Sequence, residues 1–157
     1  MILELPQSAM QLTRFSDLGL RILMYLAQGA CTEPVTSAEL AALFQVPHNH
    51  VIKVVHRLGK LGWIHTQRGR GGGLRLRVAP EDLRLGGVLR ALEETTQLVD
   101  CSQPPCVLKS RCLLKGALDA GLEAFYLRMD EWTVADVCNA PTRSALLRLH
   151  RKLAAGT

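Results

Sequence analysis

The 157-residue chain lacks any apolar run long enough to span a membrane. Its longest mainly apolar stretch, Leu18–Ala27, is interrupted by Gly19 and Arg21, whereas a transmembrane helix needs about 20 apolar residues. The first nine residues hold one acid, Glu4, and no Lys or Arg. A secretory signal needs a basic leading segment, so the expected location is the cytoplasm. The chain also lacks a Ser/His/Asp set and an acid pair placed with a base. No strand–glycine loop–helix order ends in Lys-Ser/Thr, which argues against a nucleotide-binding enzyme. Disorder is excluded too, because 48% of the residues are hydrophobic and only 21% charged.

The most telling absence is local. From His48 to Val78 there is no acidic residue, while seven basic ones occur: Lys53, Arg57, Lys60, Arg68, Arg70, Arg75 and Arg77. Four of the five histidines (His48, His50, His56, His65) lie in the same segment. A charge run is often only a solvated face. One this long and free of acid points instead to a polyanionic partner, whose counterions are released on binding. The net charge of +5 is concentrated here.

The surrounding pattern organises that charge. Ser16 is placed to cap a first helix running to about Gln28, with Gly29 as a stop and Leu18, Ile22, Tyr25 and Leu26 as its apolar stripe. Thr36-x-x-Glu39 reads as a capping box opening a second helix whose buried face is Leu40, Leu43 and Phe44. Val46-Pro47 breaks the chain, and a third helix is expected from His48 to Lys60. Its apolar side (Val51, Ile52, Val54, Val55, Leu58) should pack on the second helix. His48, Asn49, His50, Lys53, His56, Arg57 and Lys60 are left outward.

Two short helices joined by a tight turn, the second basic outside, form a helix-turn-helix sized for the major groove. Asn49 and His50 are placed for base edges, Lys53 and Arg57 for phosphates. Trp63–Thr66 and Leu74–Val78 then read as two strands around Gln67-Arg68-Gly69-Arg70-Gly71-Gly72-Gly73, a wing carrying Arg68 and Arg70. The expected fold is mainly α with a small β-hairpin: a winged helix-turn-helix over 10–82, preceded by an extension at 1–9. Residues 83–157 would hold a cysteine loop and a long dimerisation helix.

In that second part, Leu83–Glu93 reads as a short helix weakened by Gly86 and Gly87. Asp100–Cys106 is irregular because of Pro104-Pro105. Leu113–Trp132 carries Leu114, Leu118, Leu122, Phe125 and Met129 at helical spacing, a surface for a twofold partner. A final basic helix is expected over Pro141–Leu153.

Five cysteines are an odd number, and thiols in the cytoplasm stay reduced, so a disulfide framework is not expected. Three cluster as Cys101-x4-Cys106-x5-Cys112 without a nearby histidine. That spacing suits an iron–sulfur cluster better than a structural zinc site, and buried structural thiols remain the competing reading. Cys31 and Cys138 read as small core hydrophobes.

Met10-Gln11-Leu12-Thr13-Arg14-Phe15-Ser16-Asp17-Leu18-Gly19-Leu20-Arg21 resembles the start of the NsrR-type nitric-oxide-sensing repressors, iron–sulfur winged-helix regulators related to IscR. The likeness continues through His48–Lys53, Arg68–Leu76, the three-cysteine loop and Thr133-Val134-Ala135-Asp136-Val137. It implies a homodimer on double-stranded operator DNA with one cluster per subunit, [4Fe–4S] in preference to [2Fe–2S]. It implies Cys101, Cys106 and Cys112 as ligands and Asp17, from the other subunit, as the fourth. Nitric oxide is the implied signal. The chain departs from the family at Pro47-His48, where Ser-Arg is common, and at Gly87, where an aspartate is. An IscR-like sensor of cluster supply and an iron–sulfur electron carrier or enzyme are the alternative functions.

Overall fold

A computed structural model describes residues 11–28, 34–67, 69, 71–93, 97–102, 105–108 and 111–155, with side chains followed to residue 148. The expected extension at 1–9, the stop at Gly29, Cys31 and the wing residues Arg68 and Arg70 lie outside the described residues. Helices α1 (Arg14–Leu26), α2 (Ser37–Phe44) and α3 (His48–Lys60) are followed by strands β1 (Ile64–Gln67) and β2 (Gly73–Leu76). Then come a short 3₁₀ turn (Pro80–Asp82), α4 (Leu85–Leu92), α5 (Leu113–Met129), α6 (Val134–Val137) and α7 (Ala140–Ala155).

The cap of α1 is Thr13, not Ser16. Thr13 is extended and its hydroxyl accepts the Ser16 N–H at 3.1 Å. Ser16 sits inside the first turn, fully buried, with its own hydroxyl 2.9 Å from that of Thr13. The helix closes at Leu26 rather than Gln28. In α2 the capping box forms as expected, with Glu39 N–H donating to Thr36 Oγ1 at 3.2 Å and Thr36 N–H to Glu39 Oε2 at 2.7 Å. Gln45 then takes a left-handed conformation (φ 53°) that turns the chain into Val46-Pro47, and α3 begins at His48.

Val51, Val54 and Leu58 of α3 are fully buried, against Leu40 and Leu43 of α2 and Ile22 and Leu23 of α1 in one core. Ile52 is a correction: it is 50% exposed. At 100° per residue it turns away from the stripe at 51, 54 and 58.

The hairpin pairs Ile64 with Leu76 and Gln67 with Gly73 in antiparallel register, so β1 lies one residue nearer the tip than expected and β2 is shorter. Near its turn end, β2 is stitched to the segment before α2 by Leu74 N–H donating to the Val35 carbonyl at 2.7 Å. A Cβ on Gly73 would come within 2.6 Å of Pro34 Cβ, so this close approach requires glycine.

The core does not end at the wing. Leu85, Val88 and Leu92 of α4 join it, as do Val134 and Cys138 at α6. Val134 N–H donates to the Leu83 carbonyl and Leu85 N–H to the Trp132 carbonyl, both at 2.9 Å. Gly86 allows α4 to lie against the end of α5, where a Cβ would collide with the Tyr126 carbonyl. Gly86, one of the two glycines that weaken α4 as an isolated helix, is therefore what seats it. Asp130 accepts from Gly87 N–H at 2.8 Å and completes that seat. Cys138 is buried and its thiol donates to the Met24 carbonyl at 3.4 Å. Burial pushes that thiol's pKa up, with Arg143 opposing it.

Helix α6 is an element that the periodicity does not separate. It opens on a capping box, Thr133 with Asp136. The Thr133 N–H, and then its hydroxyl, hold the Asp136 carboxyl below the ordinary carboxylate range. A lowered folded pKa stabilises above the unfolded value, about pH 4, and that stability is lost as pH falls through the folded value. The difference in urea midpoint between wild type and Asp136→Asn is expected to be constant at neutral pH and to shrink on acidification.

Candidate nucleic-acid interface and cysteine loop

Helix α3 presents His48, Asn49, His50, Ile52, Lys53, His56, Arg57 and Lys60 on its exposed side. An open groove of about 740 Å³ separates this face from the hairpin, lined by Ile52, Val55, His56, Lys60, Thr66 and Gly69 among others. His65 and Arg77 are exposed on or next to the strands. No ion pair involves Lys53 or Lys60 among the described residues, which leaves both ammonium groups available to an anion.

Two of the expected DNA-facing side chains have other partners. His48 Nε2 lies 2.9 Å from Ser37 Oγ and ties the start of α3 to the start of α2. The Arg57 guanidinium, on an exposed residue, donates to the Ala91 carbonyl at 2.8 and 3.3 Å. It thereby caps an otherwise unpaired carbonyl in the last turn of α4. Two residues further on, Glu93 Oε1 accepts from Thr13 N–H at 3.0 Å and from Thr13 Oγ1 at 3.2 Å. The end of α4 is thus bonded both to α3 and to the N-cap of α1. Spacing alone could not have shown either link, since the partners are 34 and 80 residues apart.

That same end of α4 leads into the cysteine loop. Cys101, Cys106 and Cys112 are free thiols, each half-buried. Cys106 N–H donates to the Cys101 carbonyl at 3.2 Å, closing a turn that carries both. Cys112 caps α5, its sulfur accepting the Lys115 N–H at 3.4 Å. Lys115 is ion-paired to Asp119 at 2.6 Å, and that hydrogen bond is the main reason its pKa is raised; Cys101 and Cys112 add to the effect. Among the described residues, no three His, Cys, Asp or Glu side chains are brought into metal-binding geometry. Their chemistry nonetheless fits iron: soft thiolate donors, reduced, on one loop. Asp17 lies in the first turn of α1 with its carboxylate held by Arg21 at 2.8 and 3.0 Å.

Helix α5 leans on α4 through one strip. Arg90 forms a two-pronged pair with Glu123 at 2.7 and 2.8 Å and lies 4.3 Å over the Tyr126 ring. The pair holds the Glu123 carboxyl below its usual range, while burial raises the Tyr126 hydroxyl. Tyr126 is the buried residue of α5. Leu113, Leu114, Phe125 and Leu127 stay exposed, whereas Leu118, Leu122 and Met129 are half-buried. The helix stops at Met129, and Trp132 lies beyond it in the turn to α6.

A helix-turn-helix backed by a hairpin, with an acid-free basic face, defines a winged-helix DNA-binding transcriptional regulator, not an enzyme. The Rrf2 family model, described as an iron-dependent transcriptional regulator, matches residues 12–140, and the chain belongs to that family. It is 42% identical over 144 residues to the HTH-type transcriptional repressor NsrR of Streptomyces coelicolor, across 89% of this chain and 96% of that one. It is 38% identical over 144 residues to the HTH-type transcriptional regulator NsrR of Halalkalibacterium halodurans, across 89% and 99%. Among solved structures its fold is similar to T. potens IscR (TM-score 0.65, 21% identity, 82% of this chain and 86% of that one). The oxidized form of Staphylococcus aureus CymR is similar too, with TM-score 0.65 and 22% identity across 83% and 98%. No helix among the described residues is long and apolar enough to cross a membrane.

Proposed function

We propose that the chain is a homodimeric repressor of nitric-oxide and nitrosative-stress genes, its operator affinity set by an iron–sulfur cluster held by Cys101, Cys106 and Cys112. A [4Fe–4S] cluster is the preferred form, with Asp17 of the partner subunit as fourth ligand. The observation that carries this reading is the path from thiols to recognition helix. The cysteine loop begins beyond Glu93, and the last turn of α4 is bonded to α3 through Arg57 and to α1 through Thr13. The exposed apolar residues of α5 support a second copy as its cover. The NsrR names of the relatives support the signal.

In this reading α3 lies in the major groove. Asn49 and His50 meet base edges, Lys53 meets phosphate, and Arg68 and Arg70 on the wing reach the backbone or minor groove. His48 orients the helix through Ser37, and Arg57 holds it to α4. Bound on the loop, a cluster would supply iron centres that nitric oxide attacks. Lys115 places a positive charge in the first turn of α5, its backbone N–H donating to the Cys112 sulfur. Asp17 is paired with Arg21 one turn along its own helix, and ligation by Asp17 would compete with that pair.

The first test is the absorption spectrum and iron content of anaerobically purified protein. Visible sulfide-to-iron bands and about four irons per subunit are expected for a [4Fe–4S] centre; a colourless, zinc-loaded or metal-free protein would overturn the reading. On DNA, Lys53→Gln and Arg68→Ala should each flatten the slope of log affinity against log salt. The expected change is about 0.9 for each phosphate that is no longer neutralised.

A further inference from the structure

Between α1 and the cysteine loop, Ile52 is the one large apolar side chain that is strongly exposed among the described residues. The other exposed large apolar side chains lie at Leu12 or from Val99 onward, in the loop, in α5 and at Trp132. Ile52 stands on the outward side of α3, one turn after His48 and one turn before His56. It also forms a wall of the groove between α3 and the hairpin, with half-buried Val55 beside it. A β-branched aliphatic at this place is poorly matched to water and to phosphate alike. Nor does it stabilise the core, whose α3 face is already filled by Val51, Val54 and Leu58.

The surface around it selects the occupant. Seven basic residues and no acid between His48 and Val78 specify a nucleic acid, and a two-stranded wing beside an exposed helix specifies a duplex groove. On the major-groove edges of the base pairs, the apolar group is the 5-methyl of thymine. We propose that Ile52 is a specificity-determining residue that packs on a thymine 5-methyl group in each half of the operator. Asn49, one turn earlier on the same side, is placed to bond an adenine edge, so the two together favour A·T steps. The inference rests on α3 entering the major groove, as in the function proposed above.

Deoxyuridine in place of thymidine removes only the methyl and leaves base pairing intact, which gives a direct test. A duplex is selected from a random pool by the full-length protein, and each thymine is replaced in turn. Wild type is expected to bind about fourfold more weakly at one or two positions per half-site, the effect of exposing one methyl. Ile52→Ala should bind the thymine and uracil duplexes equally. Uracil without effect at every position, or a full loss persisting in Ile52→Ala, would overturn the proposal. Asn49→Ala and Lys53→Gln separate the two levels. If both bind like wild type, α3 is not in the groove and the functional reading of this helix fails with the proposal. If both weaken binding while uracil is neutral, only the role of Ile52 fails.

Discussion

Cys106→Ala is expected to yield a folded protein without the visible iron–sulfur bands, whose operator affinity no longer changes when nitric oxide is added. Among the three loop cysteines this one isolates the cofactor from the fold. Cys112 caps α5 with its sulfur, so its removal also loosens that helix. The Cys101 side chain acts on the charge of Lys115, so its removal also alters the first turn of α5. The Cys106 thiol has no hydrogen-bond partner among the described residues, and only its backbone N–H contributes to the turn. Alanine keeps that N–H and removes the ligand. Coupling between two sites is typically about 1–3 kcal/mol, which corresponds to about 5–150-fold in affinity. Wild type is therefore expected to weaken by about that much on exposure to nitric oxide, and Cys106→Ala to show no step. Anaerobic electrophoretic mobility shifts, with the spectrum recorded on the same samples, measure both properties.

Arg57→Gln is expected to weaken operator binding about tenfold and to leave its salt dependence unchanged. From the acid-free segment alone, Arg57 would be one more phosphate ligand, and its removal would flatten the salt slope by about 0.9. The structure gives the guanidinium a different partner, the Ala91 carbonyl, so its removal is expected to take away no direct phosphate contact. What disappears is a charge-assisted hydrogen bond of about 1.5 kcal/mol, at the lower end for such bonds because the site is exposed. With it goes the rigid placement of α3 on α4. The same variant should narrow the affinity difference between cluster-loaded and cluster-free protein, since one of two links from α4 is gone. Titration of the duplex at several potassium chloride concentrations separates the two roles, with Lys53→Gln as the phosphate-binding control.

The legible parts of this fold are those whose signals are local. Helix α3 runs from His48 to Lys60 as expected, because Pro47 sets its start and Val51, Val54 and Leu58 keep one apolar stripe at helical spacing. The Thr36–Glu39 box lies within one turn and can be read directly. The cap of α1 cannot, since Thr13 and Ser16 are both good cappers. The choice falls to Thr13, whose N–H and hydroxyl are also held by Glu93, 80 residues away. Helix α6 has four residues, too few for periodicity, although its Thr133–Asp136 box is a usable signal. Hydrophobicity places Ile52 inside and the helical angle places it outside, and the angle prevails. Within the site, the cysteine spacing and the basic segment are visible in the sequence. The Arg57 and Glu93 links between them depend on tertiary packing alone.

In the proposed mechanism one signal, nitric oxide, acts through the cysteine loop on operator affinity. The decisive experiment is operator binding by anaerobically purified, cluster-loaded protein titrated with nitric oxide, with cluster removal by chelation and with hydrogen peroxide as parallel arms. Bleaching of the visible bands and release of the duplex are expected to follow the same nitric-oxide titration curve, before peroxide has any effect. Binding that persists after the bands are gone would refute the mechanism. So would release that tracks cluster removal or oxidant but not nitric oxide, the behaviour of a sensor of iron–sulfur supply.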